Sequence, residues 1–312
     1  MKKTVLVTGA AGFLGRYVAQ EYKRQGFYVV GVGHGNPEKD ITGNIEVDEW
    51  ISSDVTVEVL RSLPYSPDSL IHCAGSGSVG FSLQNPLEDF ARTVSSAYFA
   101  LEYVRIYSPH TVFVYPSSAA VYGESQRMPI CEDMPLNPIS PYGIHKKMAE
   151  ELCAMYARQY QVRCTVLRFF SVYGEELKKQ LLWDACSKLA GGNVSFWGTG
   201  QEVRDWVHAE DAARAIFIGA QHASSECPAA NVGSGTGIAI REVLERLFLS
   251  YGREDVPSFT GEENAGNPVR YIADTSKIRS WGWVPEISLD TGISRYVHWY
   301  QMAAGQVGKS TV

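Results

Sequence analysis

A chain of 312 residues has room for two domains of the usual ~150 residues, or for one large α/β domain carrying a smaller lobe. Hydrophobic residues at 45% and charged residues at 20% are ordinary soluble usage, which excludes a disordered, collagen-like or disulfide-scaffold chain. The net charge of −6 gives no general attraction to nucleic acid or anionic lipid, so neither is an expected partner.

The first apolar run, Thr4–Val7, breaks at Thr8-Gly9, too short for a signal-peptide core, and no run of about 18 apolar residues follows. The expectation is therefore a cytoplasmic protein without a membrane span. Further β-branched apolar runs are Tyr28–Val32, Ser69–Cys73, Thr111–Tyr115 and Cys164–Phe169, with helical segments between them. Near-continuous hydrophobic strands suit a parallel sheet buried on both faces, and strand–helix–strand units imply a doubly wound sheet. The first helix is predicted over Phe13–Gln25, ended by Gly26. Beyond about residue 174 the alternation weakens into turn-rich stretches, which predicts residues 1–173 as one domain and 174–312 as a smaller, interleaved lobe, with 203–235 completing the first sheet. The last residues, Ala304–Val312, read as a fraying tail. The six cysteines are widely spaced, with no CxxC pair and no histidine cluster, so reduced buried thiols and no metal site are expected.

Two stretches carry chemistry. Thr8 to Gly15, TGAAGFLG, follows the first strand and opens a helix. A dinucleotide diphosphate needs backbone N–H groups on a helix N-terminus, and glycines at 9, 12 and 15 remove the Cβ atoms that would block it. The acid that would end the second strand to hold a ribose hydroxyl is missing; Gly33-His34-Gly35-Asn36 stands there, so NAD and NADP both remain open. His34 can donate to either ribose group or be a plain loop residue. Asp54-Val55 can meet the adenine, or Asp54 can cap a helix.

The second stretch is Ser140 to Lys146, where Ser140 caps a helix, Pro141 takes its first position, and Met148, Leu152 and Met155 recur behind. Tyr142 and Lys146, four apart, share one helix face. A phenol of pKa about 10 is a poor base at pH 7, but a cation about 4 Å away is worth roughly 4 kcal/mol, or about three pKa units. Such a tyrosinate can exchange a proton with a sugar hydroxyl while hydride moves. Ser117-Ser118, after the fourth strand, offers a hydroxyl at the carboxyl end of the sheet.

Together with His72-Cys73-Ala74-Gly75, Arg168 to Gly174, Gly198 to Asp205 and Ala273 to Lys277, these segments resemble the extended short-chain dehydrogenase/reductase superfamily, in its nucleotide-sugar epimerase/dehydratase branch. The resemblance covers nearly the whole chain and implies a Rossmann-type doubly wound sheet with a smaller C-terminal substrate-binding lobe. It implies Ser118 on the sugar oxygen, Tyr142 as acid/base, and Lys146 as ribose ligand and tuner of Tyr142. The cofactor set it implies is Gly9, Gly12, Phe13, Leu14, Gly15, His34, Asp54, Val55, Ala74, Gly75, Ser117, Tyr142, Lys146 and Phe169. For a nucleotide-diphosphate sugar it implies Ser78, Ser118, Tyr142 and Ser171, with Trp197 beside the base, Arg204 on the diphosphate, Arg270, and Tyr271 near the sugar. Members are often homodimers through helices that include the one starting at Tyr142.

Several positions depart from the branch. Ala119 and Ala120 stand where dehydratases carry an acidic pair, and no cysteine occurs at Ser117–Gly123, which disfavours dehydration and the fucose-synthase type of epimerisation. Ser171 replaces an asparagine, Asn264 an arginine, and Thr93-Val94 the usual Asn-Val. Three functions remain: a 4-epimerase working through a transient 4-keto sugar, an NAD(P)H-dependent 4-keto-6-deoxy sugar reductase, and a non-catalytic NAD(P)-binding sensor or scaffold.

Overall fold

The computed structural model describes residues 2–35, 45–125, 127–262 and 269–307. In chain order the first half holds β1 (Thr4–Thr8), α1 (Phe13–Arg24), β2 (Tyr28–Gly33), β3 (Glu49–Ser52), α2 (Val57–Arg61), β4 (Ser69–His72), α3 (Val79–Gln84), α4 (Pro86–Phe90), α5 (Ser96–Tyr107), β5 (Val112–Ser118), α6 (Pro141–Tyr160) and β6 (Cys164–Phe169). There follow β7 (Ser171–Tyr173), α7 (Gln180–Ala190), β8 (Ser195–Phe196), β9 (Val203–His208), α8 (Ala209–Gln221), β10 (Ala229–Val232), β11 (Gly237–Ala239), α9 (Ile240–Tyr251), β12 (Ser258–Phe259), β13 (Arg270–Tyr271), α10 (Ser276–Ser280) and α11 (Leu289–Val307).

The main sheet is parallel, in the order β10-β6-β5-β4-β1-β2-β3. Its central strands are buried on both faces, which is why Val5–Val7, Leu70–Ile71 and Val166–Leu167 are apolar in succession rather than in alternation. On one face Val18 and Tyr22 of α1 pack with Ile216 of α8. On the other, Leu101 and Val104 of α5 meet Cys153 and Tyr156 of α6. The strands all run the same way, but the order in which they are added reverses between β1 and β4, and in such a sheet the crevice beyond the carboxyl ends of those strands is where ligands settle.

The second sheet, β11-β9-β13, has β7 paired to β9, and β12 pairs β8 separately. Its core is formed by α7, α9 and α11, with Leu182, Leu247, Phe248 and Tyr296. Of the segment 203–235, only β10 joins the main sheet; β9 lies in the smaller one. Helix α11 is continuous through Val307, where a tail was expected from Ala304, and residues 308–312 lie outside the described residues. All six cysteines are free; Cys153, Cys164 and Cys186 are buried, but Cys73, Cys131 and Cys227 are only half-buried, because they sit beyond strand ends rather than within them.

Candidate active site

The turn between β1 and α1 is tied down by Gly9 N–H, which donates to the Val32 carbonyl at 2.7 Å. Gly9 has φ +66, and a Cβ there would lie 2.7 Å from the amide nitrogen of Ala74, while one on Gly15 would lie 2.1 Å from the Gly9 carbonyl. Both positions therefore require glycine, and the same absence of Cβ leaves backbone exposed for a close-lying group. Gly12 caps α1 without a side-chain bond, so no cap side chain takes up the first N–H groups of the helix. A Cβ-free cradle at an uncapped helix start fits a dinucleotide diphosphate.

Around this turn, Ala74 N–H donates to Thr8 Oγ1 at 3.2 Å, and Gly75 follows with φ +144. Val55 and Phe169 are buried in the core. His34 Nε2 lies 2.9 Å from Asp54 Oδ1, both exposed. Thr56, not Asp54, caps the next helix, accepting from Val59 N–H at 3.3 Å; Asp54 is turned to His34 instead. Asn36 and Asn264 lie outside the described residues.

The chemical end is assembled where β5 meets α6. Ser140 accepts from Gly143 N–H at 3.2 Å and Pro141 takes the first turn, as the sequence predicts. A Cβ on Gly143 would lie 2.6 Å from the Ala120 carbonyl, so the helix start presses directly on the segment after Ser118. Tyr142 N–H donates to Ser82 Oγ at 3.0 Å, pinning this turn to α3, whose own cap is Ser78. Ser118 closes β5, its Oγ accepting from Ala120 N–H at 3.2 Å.

Electrostatics differ from the sequence expectation. Lys146 is buried; its Nζ donates to the Pro116 carbonyl at 3.0 Å and lies 4.9 Å from the Tyr115 ring centre and 6.0 Å from that of Tyr142. Burial pushes the Tyr142 phenol above the ordinary tyrosine value, a Ser118 hydrogen bond opposes this, and Asp89 adds to it. Burial also brings the Lys146 ammonium down to about 8, against the pull of Cys73, Asp89, Glu150 and Cys153. A phenol acidified by a cation about 4 Å away is thus corrected: desolvation of both groups dominates, and the ammonium is anchored to a carbonyl. Neighbouring His72, bonded to Thr8 and Ser96 at 3.0 Å each, is lowered to about 3 by burial and then by Lys146, so it is neutral.

In the smaller lobe, Tyr271 donates to the carbonyls of Gly123 at 2.5 Å and Ala119 at 3.1 Å, with its ring 5.8 Å from Phe170. Strand pairing sets Tyr271 opposite Arg204, whose guanidinium burial pushes down. Tyr271, Arg204 and the 119–123 segment are thus brought together. Ser171 starts β7, Arg270 is exposed, and Trp197, half exposed, donates from Nε1 to Glu262 at 2.9 Å.

Residues 5–233 match the model of the NAD dependent epimerase/dehydratase family. The chain belongs to that family. It is similar to a protein of Methanocaldococcus jannaschii described as a putative UDP-glucose 4-epimerase, 29% identical over 95% of this chain and 97% of the other. A solved UDP-glucose 4-epimerase of Thermotoga maritima with UDP-glucose superposes with TM-score 0.86 at 26% identity, covering 96% and 99% of the two chains. Another, from Brucella ovis in complex with NAD, gives TM-score 0.83 at 27% identity over 95% and 98%. The protein is an enzyme of the extended short-chain dehydrogenase/reductase type, and its family is NAD dependent. No described helix is long and apolar enough to cross a membrane.

Two features of this member of the NAD dependent epimerase/dehydratase family escaped sequence reasoning. The Ser117 hydroxyl, expected at the cofactor, is buried and donates to Glu150 Oε1 at 2.5 Å; Glu150 in turn is held by Arg168 at 2.8 Å. Glu150 follows Lys146 by four residues on the buried side of α6, and an acid in that stripe was the available signal. The other is Asp89 against His145, whose spacing of 56 residues carries no local pattern.

Proposed function

We propose that the protein is an NAD(P)-dependent nucleotide-sugar 4-epimerase acting by hydride transfer through a transient 4-keto sugar. The observation that carries this reading is that the start of α6, with Tyr142 and the Lys146 side chain held on the Pro116 carbonyl, packs directly on the segment after Ser118 at the carboxyl edge of the sheet that also holds the Gly9 turn. The names of the relatives and solved neighbours support it, as does the lack of a proton-transferring group at Ala119 and Ala120, which disfavours dehydration.

When bound, NAD(P) supplies the hydride acceptor and donor; the turn of Gly9, Gly12 and Gly15, with Phe13, Leu14, Ala74 and Gly75, would hold its diphosphate end. Ser118 orients the sugar 4-hydroxyl by hydrogen bonding, and Tyr142, ionised in the loaded site where the Lys146 ammonium and the oxidised nicotinamide would offset its burial, takes the hydroxyl proton as phenolate and returns it as phenol after the ketone has turned over. Lys146, held on the Pro116 carbonyl, keeps a positive charge beside the phenol. Arg204 supplies charge for the diphosphate, and Tyr271, locked on Gly123 and Ala119, walls the sugar side against bulky substituents. Residues 1–173 serve as the cofactor domain and 174–312 as the substrate lobe, the two interleaved. The exposed apolar Tyr98, Phe99 and Ile106 of α5, with Ile144 and Met148 of α6, support a homodimer through these helices.

The test is to denature the purified protein, identify the nucleotide released, and assay UDP-hexoses. Redox-neutral interconversion of a 4-epimer pair supports the proposal. Stoichiometric NADPH consumption with a 4-keto-6-deoxy sugar would replace it by the reductase, the reading that the carboxylate-free Gly33 favours. No turnover of any nucleotide sugar would leave a binding protein.

A further inference from the structure

Lys179 stands immediately before α7 in the smaller lobe, and its side chain crosses to the loop that follows β4, where Nζ donates to the Gly77 carbonyl at 3.4 Å. The facing position carries no side chain, and a Cβ on Gly77 would lie 3.4 Å from that same Nζ. The bond is long, its acceptor is neutral, and among the described residues no other hydrogen bond or ion pair holds this ammonium. Although the residue is exposed, desolvation of its ammonium lowers it below the ordinary lysine value, and no carboxylate acts to raise it back.

The backbone that presents Lys179 is fixed on both sides. Glu176 and Gln180 take left-handed conformations, φ +70 and φ +67, which a residue with a Cβ disfavours. Glu176 is gripped by Arg16 of α1 at 3.3 Å and accepts from Trp299 of α11 at 3.1 Å. Gln180 opens α7, whose Leu182 is buried in the core of the smaller lobe. Lys179 therefore reaches Gly77 from a strained, anchored segment rather than from a trailing loop.

The other side of the contact leads to the chemical site. Gly77 precedes Ser78, the cap of α3, and Ser82 of α3 accepts from Tyr142 N–H at 3.0 Å. In the other direction the same loop runs back to Ala74, which lies against the Gly9 turn. The ammonium thus sits between the turn that would hold the cofactor diphosphate and the helix that pins Tyr142, at the carboxyl end of β4. Its natural partner there is a negatively charged oxygen, since a charge-assisted bond is shorter and stronger than one to a neutral carbonyl.

We propose, resting on the nucleotide-sugar reading of this cleft, that Lys179 is a substrate-binding residue that leaves the Gly77 carbonyl to take an oxyanion of the nucleotide sugar. Such an anion has two sources, the diphosphate or a carboxylate on the sugar itself, and they differ in which ligands need Lys179.

The experiment is calorimetric titration of UDP, UDP-glucose and UDP-glucuronate into the full-length protein with NAD present, in wild type, Lys179→Gln and the charge-keeping Lys179→Arg. An affinity loss of about tenfold for all three ligands in Lys179→Gln, restored in part by Lys179→Arg, assigns the ammonium to the diphosphate. A loss of the same size for UDP-glucuronate alone assigns it to the sugar carboxylate and makes acidic hexoses the substrate class. Unchanged affinities for all three in Lys179→Gln overturn the proposal and leave the nucleotide-sugar reading standing. A wild type that binds none of the three overturns that reading, and the role of Lys179 falls with it. Lys179 is exposed, so its variants keep the fold; an unchanged melting temperature beside the lost affinity separates a ligand contact from a mere tie between the lobes.

Discussion

Tyr142 and Gly9 show what single side chains do in this protein. Removing the Tyr142 hydroxyl as Tyr142→Phe takes away the proton acceptor while leaving the ring and the Tyr142 N–H bond to Ser82 in place. Turnover should fall by about 10²–10⁴-fold, with melting temperature and released nucleotide unchanged; wild-type-like turnover would take Tyr142 out of the mechanism. Gly9→Ala places a Cβ 2.7 Å from the Ala74 amide at φ +66, and should cost about 1–3 kcal/mol in urea unfolding together with loss of bound nucleotide. Unaltered stability would mean that the turn can shift. These residues were legible in the sequence because the chemistry needs them within one turn or one helix face. The balance of charges was not, since it depends on burial and on Asp89, which reach the site only through the fold.

The elements divide by length. Strands β1, β2, β4, β5 and β6 of the main sheet were legible because burial on both faces demands runs of apolar β-branched residues, whereas the four-residue edge strands β3 and β10 were not singled out; α6 was legible because Ser140 and Pro141 mark its start. The strands of the smaller lobe are two or three residues long in β8, β11, β12 and β13, too short to show any period, so they read as turns. What joins β5, β6 and α6 at the site is the buried pair of Arg168 and Glu150, with side chains 8% and 6% exposed. Arg168 also donates to the Tyr122 hydroxyl at 2.9 Å, and Tyr122 to Asn231 of β10 at 2.7 Å, so four elements share this network. Glu150→Ala or Arg168→Ala should each cost about 3–5 kcal/mol by leaving an unmatched buried charge. The double variant should cost less than the sum, and strict additivity in urea unfolding would show that the two are not coupled.

Across the whole molecule, the two sheets are held together at Glu175, just beyond β7. Its carboxylate lies 3.0 Å from His208 Nε2 and accepts from Arg295 of α11 at 2.7 Å, while its carbonyl accepts from Tyr17 of α1 at 3.0 Å. Burial pushes this carboxyl up, but His208 and Arg295 outweigh it and bring it down to about 2. A depressed carboxyl contributes stability that is fully present above its unfolded value near 4.5 and is lost as pH falls through about 2. Glu175→Gln should therefore melt below wild type at pH 7, with the gap narrowing from about pH 5 downward; a gap independent of pH would assign the loss to packing alone.

The strand Ala229–Val232 reaches the outer flank of the large sheet only after the chain has built part of the small one. A polypeptide released before residue 229 would present Cys164–Phe169 with an open row of amides and carbonyls, a template for sticking to its neighbours. On the ribosome, the large sheet waits for residues 229–232 before its last strand is in place.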